Sequence, residues 1–370
     1  MPLTDVDLLR RLVVIDSTSS LSNLPIADEI ASYADNAASI EYLKSPDGEK
    51  ANLLIRFGPE PNGDGAGLIL SGHMDAVPAR EEGWNSDPFT LTDAGDRYVA
   101  RGAADMKGFL AVALNAAIAA ASLRAPLILL FTYDEEVGTL GARDFARGEK
   151  RPLPKHCIIG EPTSFRPVRA HKGHLKLRIT TTGRAAHSGY PHLGDNAIEK
   201  SRPVLDGLST LRRELEREPT EHAELFADAP YVPLNIATIR GGTAVNIVPD
   251  RCEIDVGIRL LPGMSSDEMV ARVQHAVGDA TCEVLSDSPP MLLPRESAIY
   301  GAALPFANRS GVESVSFASD AGWLQTLGID CLLFGPGAIE VAHKPNEFTP
   351  KDEFHRAGDV LRALIARFCA

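Results

Sequence analysis

Cysteine is scarce and unpatterned. The 370 residues contain five, Cys157, Cys252, Cys282, Cys331 and Cys369, at wide spacings and with no C-x-x-C. An odd count in so long a chain excludes a disulfide framework and fits inert buried thiols in a reducing compartment. Basic charge is also short, with 37 Lys+Arg against 50 Asp+Glu and a net charge of −13. A nucleic-acid binder needs basic stripes to meet phosphates, and an anionic membrane surface asks for the same, so neither partner is expected. Long hydrophobic runs are missing. The longest apolar stretch, Phe109 to Ala121, is interrupted by Asn115 and is too short to span a bilayer. The opening MPLTDVDLLRRL has no basic leader followed by an apolar run, so no signal peptide is expected and the setting reads as cytoplasmic. No internal repeat or low-complexity tract is evident. Gly63-x-Gly65-x-Gly67 lies before a strand rather than between strand and helix, so it fails as a dinucleotide fingerprint.

What is present is ordinary globular material. Apolar residues make up 44% and charged residues 24%, and the length predicts two or three domains. Leu3 to Val13 reads as a first helix capped by Thr4. Lys107 to Ser122 reads as a helix rich in Ala and Leu. Leu68-Ile69-Leu70, Leu127 to Thr132, Cys157-Ile158-Ile159 and Cys331 to Phe334 are continuous apolar runs, the mark of strands covered on both faces. Strands alternating with helices predict an α/β fold with a mostly parallel central sheet and flanking helices. The middle of the chain differs. His174 to Thr182 and Ile254 to Leu260 alternate apolar and polar residues, which predicts antiparallel strands covered on one side. A helix begins near Asp195 and runs past Leu211, with Pro203 expected to kink or divide it, and another spans Ser266 to Val277. The expected organisation is a catalytic domain from residues 1–172 and 291–370 with an inserted α+β domain at 173–290.

Acid- and histidine-bearing motifs follow the apolar runs. Leu68-Ile69-Leu70-Ser71-Gly72 leads into His73-Met74-Asp75, and Leu127 to Tyr133 leads into Asp134-Glu135-Glu136. Cys157-Ile158-Ile159-Gly160 leads into Glu161, and the run ending at Gly337 leads to His343-Lys344-Pro345. In open α/β sheets, sites form beyond the carboxyl ends of strands. Each motif alone has a bland reading: a structural histidine, a solvated turn, a surface loop, and for Asp105 a helix cap. Their joint placement favours function. Histidines and carboxylates without thiolate suit zinc, cobalt or manganese. The period of two in His73-x-Asp75 lets His73 bind a metal while Asp75 holds the other ring nitrogen. Adjacent carboxylates at a strand end, Glu135 and Glu136, are costly unless a cation or shared proton stabilises them.

Seven segments together resemble a known family. They are SGHMDAVPA (71–79), RGAADMKGFLA (101–111), YDEEVGTLGA (133–142), GEPT (160–163), GRAAHSGYPHLGDNAIE (183–199), GGTAVNIVPD (241–250) and FGPGAIEVAHKPNEF (334–348). They are similar to the aminoacylase, acetylornithine deacetylase and succinyl-diaminopimelate desuccinylase family of co-catalytic zinc metallopeptidases. AHKG (170–173), the His187 segment and the GPG-to-AHKPNEF segment resemble the acetylornithine deacetylase branch.

The resemblance implies two Zn2+ per chain, with Co2+ or Mn2+ as substitutes, bridged by Asp105. His73 and Glu161 would complete one metal's ligands, and Glu136 and His343 the other's. Glu135 would be the general base and acid, and Asp75 would orient His73. His187, on the inserted domain, would stabilise the oxyanion, in the family from the partner subunit of a homodimer. Arg259, on the polar face of its strand, could grip a substrate carboxylate, or pair with Asp255 or meet solvent instead. Asn246 could add hydrogen bonds. Gly335 beside Pro336 reads either as a tight turn or as backbone close to substrate. The expected activity is hydrolysis of an N-acyl amino acid, N2-acetyl-L-ornithine first, which belongs to arginine biosynthesis. Succinyl-diaminopimelate, N-acetylcitrulline, other acylated amino acids and dipeptides are the alternatives, because the same metal chemistry serves all of them.

Overall fold

The computed structural model describes residues 3–308 and 313–370. The chain divides into two compact units, one spanning Met1–Arg169, Leu293–Glu313 and Ser319–Ala370, the other Ala170–Leu292 and Ser314–Ala318.

The first unit is built on a six-stranded sheet in the order Ser39–Lys44, Ala51–Phe57, Leu127–Thr132, Leu68–His73, His156–Ile159 and Asp330–Leu333. The last four run parallel, and the first two form an antiparallel edge. Every residue of Leu68–His73 and Leu127–Thr132 is buried, as their unbroken apolar runs require of strands covered on both faces. Helix Asp5–Val13 starts at Thr4, whose hydroxyl accepts the Asp7 N–H and satisfies an end-of-helix donor. Helix Lys107–Ile118 is buried almost all round and packs against helices Asp5–Val13 and Lys351–Cys369. It stops four residues before the expected Ser122, which sits at φ 57°, a left-handed conformation that no helix continues through. At the seam, Leu293 N–H donates to Arg169 O at 2.7 Å, so the chain leaves and re-enters this unit at adjacent residues.

The second unit holds a four-stranded antiparallel sheet in the order Leu234–Gly241, Arg251–Ile258, His174–Thr182 and Thr281–Ser288. Leu175, Leu177 and Ile179 face Ile258, Val256 and Ile254 across the central pair, all buried in one core. The opposite face carries Arg178 and Asp255, joined by an ion pair. Helices Ala197–Leu215 and Ser266–Val277 complete the core with Val204, Leu208, Met269 and Val273. They approach so closely that a Cβ on Gly207 would lie 1.9 Å from Ala276 O. The expected division at Pro203 does not occur, because Ala197–Leu215 is one helix. Pro203 and Glu199 are both exposed, so the carbonyl that loses its intrahelical donor can be hydrated.

Candidate metal centre

In the first unit, the parallel strands deliver side chains to one edge of the sheet. His73 is the last residue of its strand, Glu135 and Glu136 follow Leu127–Thr132, and Glu161 follows His156–Ile159. Asp105 ends the turn before helix Lys107–Ile118, with a cis Asp105–Met106 peptide. It is not the helix cap: Met106 holds that position and its side chain makes no capping bond. The Asp105 carboxylate instead lies between two histidines, 3.0 Å from His73 Nε2 and 3.3 Å from His343 Nε2. His343 Nε2 is also 3.0 Å from Glu136 Oε1. Ligand atoms of His73, Asp105 and Glu136 all lie within 4.8 Å of one another.

The electrostatics are those of crowded carboxylates. Burial pushes the Glu161 carboxyl well above its ordinary value, and the Asp105 charge adds to this. Burial raises Glu135 as well, with Glu161 and Glu136 repelling its negative form. Glu136 is raised by burial and by Asp105. Asp105 goes the other way, held low against burial by hydrogen bonds from His343 and His73. The His343 imidazolium is raised to about 10 by Asp105 and Glu136. Buried like charges of this density call for a compensating cation. Two imidazoles, three carboxylates and no thiolate fit zinc and also tolerate harder ions.

Asp75 is buried beneath the centre, and its backbone oxygen is 2.9 Å from His73 Nδ1. Its carboxylate lies 3.7 Å from that nitrogen and accepts the Glu135 and Glu136 N–H groups at 3.1 and 3.3 Å. Thus Asp75 touches both the histidine and the two-glutamate turn. Gly335 is buried: its N–H donates to Thr163 Oγ1 at 3.3 Å, and a Cβ there would meet Gly160 O at 2.5 Å. Close packing under Glu161 thus accounts for this glycine.

His187, Asn246 and Arg259 belong to the second unit. His187 is exposed on the short strand Ala186–His187, and Gly189 N–H donates to its Nδ1 at 3.0 Å. The neutral ring therefore carries its proton on Nε2 as a free donor. Asn246 is its neighbour, with its backbone oxygen accepting Ser188 N–H at 3.0 Å. Arg259 does not pair with Asp255, which is taken by Arg178 and Arg240. Its guanidinium has no hydrogen-bond or ion-pair partner among the described residues, and burial lowers its value. Lys172 is lowered to about 8, by burial and by the Arg259 charge.

Sequence reasoning missed several residues around the centre. Glu347 and Arg101 form a buried ion pair at 2.7 Å, and Glu347 Oε1 accepts the Ala104 and Asp105 N–H groups, each at 3.0 Å. Both lie inside quoted segments, RGAADMKG and AHKPNEF, but nothing in either spacing marks them as partners. Asp320 is buried, accepts the Thr132 hydroxyl at 2.5 Å, and is raised to about 6 by burial. No motif announces it.

A model of peptidase family M20/M25/M40 matches residues 69–367. The chain is 35% identical over 364 residues to an acetylornithine deacetylase of Aliivibrio fischeri (strain MJ11), covering 96% of this chain and 94% of the relative. It is 34% identical over 377 residues to an acetylornithine deacetylase of Myxococcus xanthus, covering 98% and 96%. The fold is similar to that of an M20 metallo-carboxypeptidase from Sulfolobus solfataricus, with a TM-score of 0.79 at 18% identity over 98% of each chain. It is also similar to a dinuclear metal binding peptidase of the M20 family from Bacillus subtilis, with a TM-score of 0.67 at 15% identity over 98% of each chain.

Proposed function

The chain belongs to peptidase family M20/M25/M40, and from that premise we propose that it hydrolyses N2-acetyl-L-ornithine to L-ornithine and acetate. The coarser activity is that of a metal-dependent hydrolase of N-acyl amino acids. The convergence of His73, Asp105, Glu136 and His343 on one edge of the sheet, with Glu135 and Glu161 beside them, carries that coarser activity, and the near-full-length similarity to acetylornithine deacetylases supports the choice of substrate. Asp105 would be shared by two zinc ions, His73 and Glu161 holding one, Glu136 and His343 the other.

When bound, such cations polarise the scissile carbonyl and lower the pKa of the attacking water. Glu135 takes a proton from that water as its oxygen attacks the amide carbon. It then delivers a proton to the nitrogen, the C–N bond breaks, and acetate and the free amine leave. Burial and the neighbouring Glu161 and Glu136 charges raise its value, the direction that favours holding a proton and handing it on. The backbone bonds from Glu135 and Glu136 to Asp75 keep the base and the ligand on separate bearings.

The second unit would supply the remaining contacts. The outward Nε2–H of His187 suits a donor to the charge that grows on the carbonyl oxygen. The unpaired Arg259, next to the Lys172 charge, suits the substrate α-carboxylate, with Asn246 as a further hydrogen-bonding group. Exposed Tyr190, Leu193, Val245 and Ile247 surround the His187 strand pair and support a homodimer formed through this unit. Five unpaired cysteines support a cytoplasmic setting.

The test is product release by zinc-loaded protein from N-acetylornithine, N-acetylcitrulline, N-acetylmethionine, N-succinyl-diaminopimelate and a dipeptide, with metal per chain measured by elemental analysis. The expected result is the highest kcat/KM on N-acetylornithine and two metals per chain. A clear preference for another member of the panel overturns the substrate, and one metal per chain overturns the shared-ligand assignment.

A further inference from the structure

The turn that presents Glu135 and Glu136 is unusual in its backbone. Asp134, which opens it, has φ 53°, in the left-handed region that few non-glycine residues enter. Its carbonyl accepts Leu140 N–H at 3.1 Å, and Glu135 O accepts both Gly138 N–H and Thr139 N–H. Those bonds close the turn on its far side. On its near side the turn is held by side chains, and the lysine among them has no role in the chemistry described above.

Lys50 immediately precedes strand Ala51–Phe57, which runs antiparallel to Leu127–Thr132. The ladder pairs Leu53 with Phe131 and Leu54 with Leu130. Continued past its end, the same register sets Lys50 opposite Asp134. The Lys50 ammonium donates to Asp134 Oδ1 and to Ser19 O at once. Ser19 in turn donates through its hydroxyl to Asp75 Oδ2 at 2.7 Å. Asp75 accepts the N–H groups of Glu135 and Glu136. One ammonium therefore closes a loop of contacts that enters the turn both through the Asp134 side chain and through the Asp75 carboxylate. The side chains of Lys50 and Asp134 are only 16% and 11% exposed, so the pair is largely shielded from water and salt.

We propose that Lys50 is a positioning residue: it acts through Asp134 and Ser19 to fix the turn that aims Glu135 at the reacting water and Glu136 at the metal. This rests on the roles given above to those two glutamates. The proposal has a sign that a simpler view lacks. As a nearby positive charge alone, Lys50 would repel a metal cation, and its removal would tighten metal binding. As a positioning residue its removal weakens binding, because the Glu136 carboxylate is no longer held ready. Loss of a group that orients a metal ligand typically costs about 10–100-fold in metal affinity or activity.

The test uses the full chain, stripped of metal and titrated with Zn2+ by calorimetry, as wild type, Lys50→Met, Lys50→Arg, Asp134→Asn and Lys50→Met/Asp134→Asn. Lys50→Met is expected to weaken zinc binding by about 10-fold or more, with Lys50→Arg restoring most of the loss. In the Asp134→Asn background, Lys50→Met is expected to cost less than in the wild type, since one of the two contacts it acts through is already weakened and only the Ser19 contact is left to lose. The kcat on N2-acetylornithine should fall in parallel, with KM changing less. Zinc binding that is unchanged or tighter in Lys50→Met overturns the proposal, as do losses that multiply in the double variant. So does a raised KM with unaltered kcat, which would make Lys50 a substrate contact. If Lys50→Met does not fold, Lys50→Arg against Asp134→Asn decides. Near-normal zinc affinity in Lys50→Arg with a clear loss in Asp134→Asn supports the proposal, and any other pattern overturns it. The zinc titration needs no substrate, so a wild type inactive on N2-acetylornithine would sink the substrate assignment and leave this test intact.

Discussion

Removing the Glu347 carboxylate should damage both stability and metal binding, and the structure allows the sizes to be worked out. Glu347 and Arg101 are each 1% exposed and paired at 2.7 Å, and Glu347 also accepts two backbone N–H groups at 3.0 Å. Breaking a buried pair by deleting one partner typically costs about 3–5 kcal/mol, and each orphaned buried N–H about 1–3. Arg101 keeps the Glu81 carboxylate and Pro78 O, which favours the low end. We expect Glu347→Ala to destabilise the first unit by about 5 kcal/mol. Urea unfolding followed by tryptophan fluorescence reads this directly, since the Arg101 guanidinium lies 5.2 Å from the Trp84 ring. Because the Asp105 N–H loses its acceptor, metal affinity should also fall by about 10–100-fold. The double variant Arg101→Met/Glu347→Leu separates the two effects. A buried pair replaced by apolar side chains typically regains stability, but in that variant the Asp105 N–H still lacks the Glu347 acceptor. A loss below about 1 kcal/mol in Glu347→Ala, or a double variant with normal zinc affinity, would refute the reasoning.

Glu135→Gln should lower kcat by about 10²–10⁴-fold while metal content stays at the wild-type level, and near-normal turnover would remove the assigned base. His187→Ala should lower kcat by about 10²–10³-fold with little change in KM. If His187 serves the partner's site, equal mixing of Glu135→Ala and His187→Ala protomers should restore about a quarter of wild-type activity, because half the dimers are mixed and each holds one intact site; no recovery would place His187 in its own chain's site. Arg178, Arg240 and Thr238 hold Asp255 at about 2, below its unfolded value. A lowered carboxylate contributes stability that is present above the unfolded value of about 4 and is lost as pH falls towards 2. The second unit should therefore weaken over that window more steeply in wild type than in Asp255→Asn, and equal slopes would discount the network.

The strands of the first unit were legible because burial on both faces leaves an unbroken apolar run, as in Leu127–Thr132. Alternation did the same for His174–Thr182, whose burial repeats with period two. The Thr4 cap and helix Ser266–Val277 were readable from local chemistry alone. The strand ends pointed to His73, Glu135, Glu136 and Glu161, since the residue after a buried parallel strand has to emerge at the sheet edge. Illegible were the groups that hold those residues. Glu347 meets the Asp105 amide across 242 positions, and Lys50 meets Asp134 across 84. No periodicity or spacing encodes such contacts; they follow from sheet order and register. The end of helix Lys107–Ile118 was missed for a similar reason, because alanines at 119–121 carry no stop signal and the left-handed Ser122 shows only in three dimensions.

The seam between Arg169 and Leu293 has an engineering consequence. Chain ends that already share a hydrogen bond can be spliced by a tight reverse turn with almost no loop-closure entropy. The intervening segment could thus be cut out of the gene and replaced by a few turn-forming residues, yielding a miniature of the first unit that keeps only Ser314–Ala318 of the second. Such a miniature would retain His73, Asp105, Glu135, Glu136, Glu161 and His343 but lack His187 and Arg259. It would isolate cation capture from amide cleavage in a single polypeptide.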